Sequence, residues 1–206
     1  MVSKLSQFLQ SPTEIHWKAC KRVLRYLKGT ITHGLHFMPN QSLNLVGFTN
    51  VDWASYPDGR RSTSGYYVYL GGNLISWSLK KQSVVARSSI ESEYWTLAHV
   101  TAEVIWLKSL ATYLGLQLRL RPVIWCDNQG TASLATNPVY HDRTKHIEIN
   151  MHFICDEVLQ KELDIRFVHS IDQIAYLFTK PLSITRFFKL KANSRWKNPP
   201  FVWKGV

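Results

Sequence analysis

Two carboxylates occur where the neighbouring residues indicate a site. Asp127 directly follows Arg121–Cys126, a short and almost wholly apolar run that is typical of an interior strand. An acid at the carboxyl end of such a strand usually faces a functional site. Glu93 lies near the beginning of a long helical segment. Both side chains offer the oxygen ligands that Mg²⁺ prefers, so each of them can ligate a metal ion.

Each of these features also has a structural interpretation. Asp127 and Asn128 could cap the helix that follows, and this role is compatible with ligation. Taken alone, Glu93 would be a solvated acid on a helix. His146 and His169 are candidates for general acid–base groups, but a structural role or a backbone contact is favoured for both. Five tryptophans are interpreted as packing in or near the core: Trp53, Trp77, Trp95, Trp106 and Trp125.

A block of three strands precedes Glu93. Leu43–Thr49 and Gly65–Leu70 have strand-like apolar patterns, and Leu74–Ser78 follows the turn-forming pair Gly71 and Gly72. These signals predict three consecutive antiparallel strands.

The rest of the chain alternates helices with strands. The periodicity predicts a helix over Ser89–Leu114, a strand over Arg121–Cys126, helices over Gln129–Ala135 and His146–Gln160, a strand over Asp164–His169 and a last helix over Gln173–Thr179. Strands reached through helices join a sheet in parallel. The predicted class is therefore α/β, with a mixed five-stranded sheet and helices on both faces.

One further helix is predicted ahead of the strands. It begins in Ser11–Glu14, with a cap, a proline at the first position and an early acid, and it ends at Gly29. Its lysines and arginines form one face without interleaved acids: Lys18, Lys21, Arg22, Arg25 and Lys28. Such a face could be merely solvated or could lie along a phosphate backbone.

The chain is strongly basic. Its 206 residues contain 25 Lys and Arg against 14 Asp and Glu, a formal charge of +11, and the pI is near 9.7. This balance favours a polyanionic partner, nucleic acid first, over a basic protein without one. Several basic residues could lie in ordinary solvated loops, but their recurrence near the predicted site favours phosphate contacts: Arg60, Arg61, Lys80, Lys81, Arg87, Arg143, Lys145 and His146.

Cysteine usage and apolar runs bear on the compartment. The three cysteines are far apart, so they form neither a disulfide framework nor a metal-ligand spacing. Cys126 and Cys155 lie in apolar stretches and are expected to be buried, which suits a reducing compartment. No apolar run has the length of a membrane span, and the first residues lack the apolar core of a secretory signal. We expect a cytoplasmic or nuclear protein that is neither secreted nor bound to a membrane.

Several long motifs resemble one known family. GFTNVDWA at 47–54, the run from 60 to 94 ending in SSIESEY, WCDNQGTASLATNPVYHDRTKHIEINMHFI at 125–154 and VHSIDQIAYLFTKPL at 168–182 are similar to the ribonuclease H region that closes the Pol polyprotein of copia-type LTR retrotransposons. The opening LSQFLQSPTEIHWKACKRVLRYLKGTITHGLHF is similar to the stretch that links reverse transcriptase to that region. The resemblance covers roughly residues 3–190.

The resemblance implies a fold, an activity and partners. The fold is ribonuclease H-like, and the activity is endonucleolytic cleavage of RNA in an RNA–DNA hybrid with two Mg²⁺ ions held by four carboxylates. The reverse transcriptase and integrase parts of a polyprotein are implied neighbours. The expected divisions are a helical remnant at 1–40, the ribonuclease H-like domain at 41–182 and a loosely ordered basic tail at 183–206.

Only two of the family's four acids are present. Glu93 matches the helix acid and Asp127 the strand acid, whereas Asn50 and Tyr176 occupy the places of the other two. An amide is neutral, and so is a phenol at physiological pH. Two neighbouring divalent ions repel each other, so these replacements should weaken the metal pair sharply. We therefore expect a nucleic-acid-binding pseudoenzyme whose catalysis is lost or strongly impaired.

Two alternatives remain open. Asp52, Glu91 or Asp172 could substitute for a missing acid and sustain an active Mg-dependent hybrid endoribonuclease of reduced rate. Asp52 shares a strand face with Asn50, whereas Glu91 projects elsewhere on its helix than Glu93. The other alternative is a structural or interaction module without nucleic-acid binding.

Overall fold

The computed structural model describes residues 2–32, 34–35, 37–39, 42–56, 59–136 and 148–193. Contacts within the chain divide it into a small amino-terminal unit, within residues 1–36, and a larger unit within residues 37–195.

The small unit consists of short helices. Its elements are α1 (Val2–Leu5), a 3₁₀ turn (Ser6–Phe8) and α2 (Glu14–Gly29). The N-cap of α2 is Thr13, so the helix begins after Pro12, which was predicted as its first residue. His16, one turn later, completes a reciprocal capping box with Thr13. The ring of Phe8 stacks on His16 with the centroids 4.0 Å apart. The predicted basic helix is thus present.

The larger unit is built on one sheet. The strands are β1 (Leu45–Asp52), β2 (Thr63–Leu70), β3 (Asn73–Lys81), β4 (Val123–Cys126) and β5 (Asp164–Phe167). Their order is β3-β2-β1-β4-β5. β1, β2 and β3 pair antiparallel, whereas β4 pairs in parallel with both β1 and β5. The predicted mixed five-stranded sheet is confirmed.

The helices of this unit are α3 (Ser89–Tyr113), α4 (Gln129–Thr136), α5 (Glu148–Leu159), α6 (Tyr176–Thr179) and α7 (Ile184–Asn193). Neighbouring residues of β2 show that both sheet faces are covered, because side chains alternate along a strand. Val68 is buried in a cluster with Leu97 of α3 and Ile154 of α5. Tyr67 belongs to a second cluster, beneath the segment that leads into α6.

Cys126 and Cys155 are buried as expected. Within the described part of the chain, no helix is both long enough and apolar enough to cross a bilayer.

Three of the five tryptophans are not core residues. Trp53, Trp77 and Trp106 are 49%, 53% and 58% exposed, whereas Trp95 and Trp125 are half-buried. Trp77 lies opposite Tyr67 on the same sheet face, but it belongs to the edge strand β3, whereas α6 packs mainly on β1 and β2. Trp53 follows the end of β1, and Trp106 lies on the outward side of α3. The core prediction was wrong at these three positions because aromatic type alone does not reveal which face is covered.

Part of the predicted loose tail is helical. Ile184–Asn193 forms α7, in which Leu190 is fully buried while Lys189 is exposed. The frequent basic residues obscured the apolar spacing of this segment. Its apolar residues form a buried helix face only because α7 contacts α6. Residues 194–206, with Trp196 and Trp203, lie outside the described part, as do 137–147 and the predicted start of a helix at His146. The three predicted divisions of the chain stay predictions.

Candidate nucleic-acid and metal site

The sheet brings the four predicted site positions together at one edge. Thr49 of β1 pairs in parallel with Cys126 of β4, so the next residues, Asn50 and Asp127, lie at the same level. α3 packs on β1 and carries Glu93. α6 begins at Tyr176 and packs on β1 and β2.

The side chain of Asn50 packs against α6. It is only 3% exposed, and its amide nitrogen donates a hydrogen bond to the hydroxyl of Thr179. The facing residue on β2 is Gly65, where a Cβ would lie 2.7 Å from the Thr179 methyl carbon. α6 therefore approaches the sheet too closely for a side chain at this point, and the Asn50 amide fixes it there.

Tyr176 reaches from α6 to the strand acid. Its hydroxyl donates a hydrogen bond of 2.5 Å to Oδ2 of Asp127, and the residue is 4% exposed. Oδ1 of Asp127 is also buried, and it has no hydrogen-bond partner among the described residues. A buried acceptor without a partner is costly, so this oxygen remains a candidate for an outside donor.

Glu93 is held in an environment that disfavours its charge. Burial raises the pKa of Glu93 to about 7, and the nearby Asp127 carboxylate adds to the rise. Asn128 and Lys180 act in the opposite direction, the first by a hydrogen bond and the second by its charge. At neutral pH the site therefore holds a carboxyl that exists in both protonation states.

The helix-capping interpretation of the Asp127-Asn128 pair is correct for Asn128. Its Oδ1 accepts a hydrogen bond of 3.0 Å from the backbone nitrogen of Thr131 in α4. Asn128 thus links the end of β4 to α4 and also hydrogen-bonds Glu93.

The residues present do not fit a pair of magnesium ions. In the described part of the chain, no three His, Cys, Asp or Glu side chains gather closely enough to hold a metal. Of the possible substitutes, Glu91 accepts a 2.6 Å hydrogen bond from the backbone nitrogen of Arg87, and Asp172 is exposed before α6. Asp52 is half-buried two residues beyond Asn50.

Several predicted phosphate contacts lie at the adjoining end of the strands. Lys81 lies opposite Thr63 at the end of β3, and its ammonium is 4.4 Å from the ring centroid of Tyr56. The same tyrosine makes backbone hydrogen bonds with both Arg60 and Arg61. Tyr56 thereby connects three of the candidate cations.

Two other candidates lie close to this group. Lys80 immediately precedes Lys81, and the loop of Arg87 is joined to the end of β1 by a hydrogen bond from Trp53 to the carbonyl of Ala86. Arg143, Lys145 and His146 lie outside the described residues. His169 is exposed and packs edge-on against Phe167, which supports a structural role.

Sequence reasoning missed the residues that hold α6 in place. Gln173 is fully buried, and its amide donates to the carbonyl of Thr49 while its oxygen accepts from the backbone of Ala175. Thr179 and Lys180 follow Tyr176 by three and four residues, a helical spacing that could have grouped them with it. The guanidinium of Arg186 lies over the Tyr176 ring, and no local sequence pattern indicated that contact.

The strand order and this edge define a ribonuclease H-like domain. Over 186 residues, 90% of its length, the chain is 48% identical to each of the retrovirus-related Pol polyproteins from transposons RE2 and RE1 of Arabidopsis thaliana. It is 37% identical over the same share to the one from transposon TNT 1-94 of Nicotiana tabacum. The chain belongs to the family of retrovirus-related Pol polyproteins of copia-type transposons. It spans 13–14% of the length of these relatives.

Solved structures provide a more distant likeness. An RNase H domain from Mycobacterium tuberculosis is 11% identical with a TM-score of 0.44, over 74% of this chain and 99% of that one. LC11-RNase H1 in complex with an RNA/DNA hybrid is 12% identical with a TM-score of 0.42, over 61% and 83%. No protein-family model matches the chain.

Proposed function

We propose that the chain is a ribonuclease H-like domain that binds nucleic acid and has lost most or all hydrolytic activity. The observation that carries this proposal is the hydrogen bond from Tyr176 to Asp127. In two-metal hydrolysis, carboxylate oxygens must face the ions and offset their charge. Here a protein donor engages one oxygen of Asp127, and a neutral phenol occupies the place of the fourth acid.

The environment of Asn50 supports the same proposal. An amide supplies no charge to offset two divalent ions, and its nitrogen is already engaged by Thr179. Mg²⁺ releases its water reluctantly and binds strongly only to well-placed anionic oxygens. Burial also raises the pKa of Glu93 to about 7, which disfavours the charged form that a metal ion would need.

Nucleic-acid binding is supported by charge. The chain carries +11, and candidate phosphate contacts lie together beside the predicted site. The nucleic acid expected from the family is an RNA–DNA hybrid, with the reverse transcriptase and integrase parts of a polyprotein as further partners. Binding by such a surface weakens as salt rises, which separates it from a module that does not bind nucleic acid.

The proposal is tested by hybrid cleavage in Mg²⁺ or Mn²⁺. The wild-type chain should show little turnover, and Asn50→Asp with Tyr176→Asp should raise it by at least about tenfold, because two metal-binding charges return. A matched control is Gln117→Glu with Tyr113→Asp, which adds the same charges at exposed positions and should leave cleavage unchanged.

Strong wild-type cleavage that disappears in Asp127→Asn would overturn the loss of catalysis. In that case the reduced-rate alternative applies, and comparing Asp52→Ala with wild type decides whether Asp52 is the substitute acid. Retention on a hybrid column that does not respond to salt would instead overturn nucleic-acid binding.

A further inference from the structure

Two cations lie over the ring of Tyr176. The ammonium of Lys180 is 4.3 Å from the ring centroid, and the guanidinium carbon of Arg186 is 5.0 Å from it. Both distances are within the range of cation–π attraction. The hydroxyl of the same ring contacts Asp127. A buried tyrosine therefore joins two positive charges to the strand acid.

The two cations differ in accessibility. Arg186 is half-buried, and its guanidinium donates a 2.8 Å hydrogen bond to the carbonyl of Ser170, which fixes it in place. Lys180 is exposed and lies at the end of α6, near enough to Glu93 for their charges to interact. Lys180 is therefore the cation that a ligand arriving at this edge can reach.

The charges balance without a metal. Glu93 and Asp127 carry at most two negative charges, and Lys180 and Arg186 carry two positive ones, so these four side chains have no net negative charge. In a site with four acids, a phosphate would be repelled unless metal ions neutralised the carboxylates. Here the protein's own cations remove that repulsion.

We propose that Lys180, held on the ring of Tyr176, is a phosphate-binding residue that anchors the nucleic-acid backbone at this edge without a divalent metal. The inference rests on the nucleic-acid binding proposed above and goes beyond it, since it assigns the contact to a residue outside the predicted basic set. Lysine binds a phosphate as a mobile point charge, which suits sequence-independent contact with a backbone. Arg186 acts as a positioning residue by fixing the ring.

The test is fluorescence anisotropy with a labelled RNA–DNA hybrid and the full chain, in Mg²⁺ and in EDTA. Wild-type binding should persist in EDTA, with an affinity no lower than in Mg²⁺, because Mg²⁺ itself competes for the phosphates. Lys180→Gln should weaken binding several-fold and make the slope of log affinity against log salt less negative by about one. Lys180→Arg should restore both quantities, because it keeps the charge.

Lys161→Asn is the matched control. Lys161 is exposed and precedes β5, at the opposite edge of the sheet, so its loss should change affinity and slope much less than that of Lys180. Its replacement is asparagine because the backbone φ there is 61°, which asparagine tolerates.

Two outcomes would overturn this inference while leaving nucleic-acid binding in place. One is wild-type binding that requires Mg²⁺, and the other is a Lys180→Gln chain that matches wild type in affinity and salt slope. Neither outcome bears on hydrolysis, which the cleavage assay measures separately. A wild-type chain that does not bind the hybrid at low salt would overturn this inference together with the binding part of the proposed function.

Discussion

At the scale of single residues, two neutral side chains change what the site can do. Asn50 and Tyr176 both form hydrogen bonds within the protein. The groups at these positions now hold α6 and Asp127 in place. Both hydrogen bonds can be expected to contribute to stability.

Tyr176→Phe tests this exchange directly. The ring and its two cations stay, but Asp127 loses a donor in a buried place, and hydrogen bonds to charged groups contribute about 1.5–3 kcal/mol. We expect the free energy of unfolding in urea to fall by about that amount. Tyr113→Phe is the control, because Tyr113 is 88% exposed and its hydroxyl should contribute little. A Tyr176→Phe chain as stable as this control would show that the hydrogen bond is not important for stability.

At the scale of elements, the close approach of α6 to the sheet determines the geometry of the site. α6 has four residues and could not form alone. It is held by Gln173 at its entry, by Thr179 on Asn50 and by Phe178, whose ring stacks on Tyr67 at 4.1 Å. Gly65 leaves the space for this approach. The position of Tyr176 is therefore a consequence of packing rather than of helix propensity.

Gly65→Ala should push α6 away from β2. The new Cβ would lie 2.7 Å from the Thr179 methyl carbon and 3.3 Å from Cβ of Phe178. Overpacking of this kind costs about 1–3 kcal/mol, which denaturant unfolding would measure. Gly29→Ala is the control, since the added Cβ there would meet no atom within 4 Å beyond its chain neighbours and the backbone of its own helix.

Thr179→Ser offers a sharper check of the same contact. It removes the clashing methyl group and keeps the hydroxyl that accepts from Asn50. In the Gly65→Ala background it should recover a substantial part of the lost stability, a coupling that a double-mutant cycle isolates. If the two changes are simply additive, the predicted collision with α6 is absent.

At the scale of the whole molecule, metal binding and folding should be uncoupled. A ligand that binds only the folded chain raises its melting temperature, and the rise grows with ligand concentration. If the site cannot hold two Mg²⁺ ions, Mg²⁺ will affect the stability of this chain only as a salt does, through screening.

Thermal unfolding measures this coupling in two buffers of equal ionic strength, one that contains Mg²⁺ and one without divalent cations. The wild-type melting temperature should be the same in both, whereas the chain with Asn50→Asp and Tyr176→Asp should be stabilised by Mg²⁺. The reason is that four carboxylates in one site repel each other until a bound cation offsets their charge. A clear rise for wild type that saturates with Mg²⁺ would contradict the proposed loss of the metal pair.

The sequence by itself determined the sheet and the order of its helices, and it supplied the four predicted site positions. Apolar periodicity and turn residues are local properties, and the motifs that carry Asn50, Glu93, Asp127 and Tyr176 are contiguous in the chain. Only the tertiary structure decided what the two neutral residues do. The partners of Tyr176 and Asn50 are 49 and 129 residues away, and no local pattern connects them. The same holds for the exposed tryptophans and for α7, because which face is covered depends on the segment that packs on it.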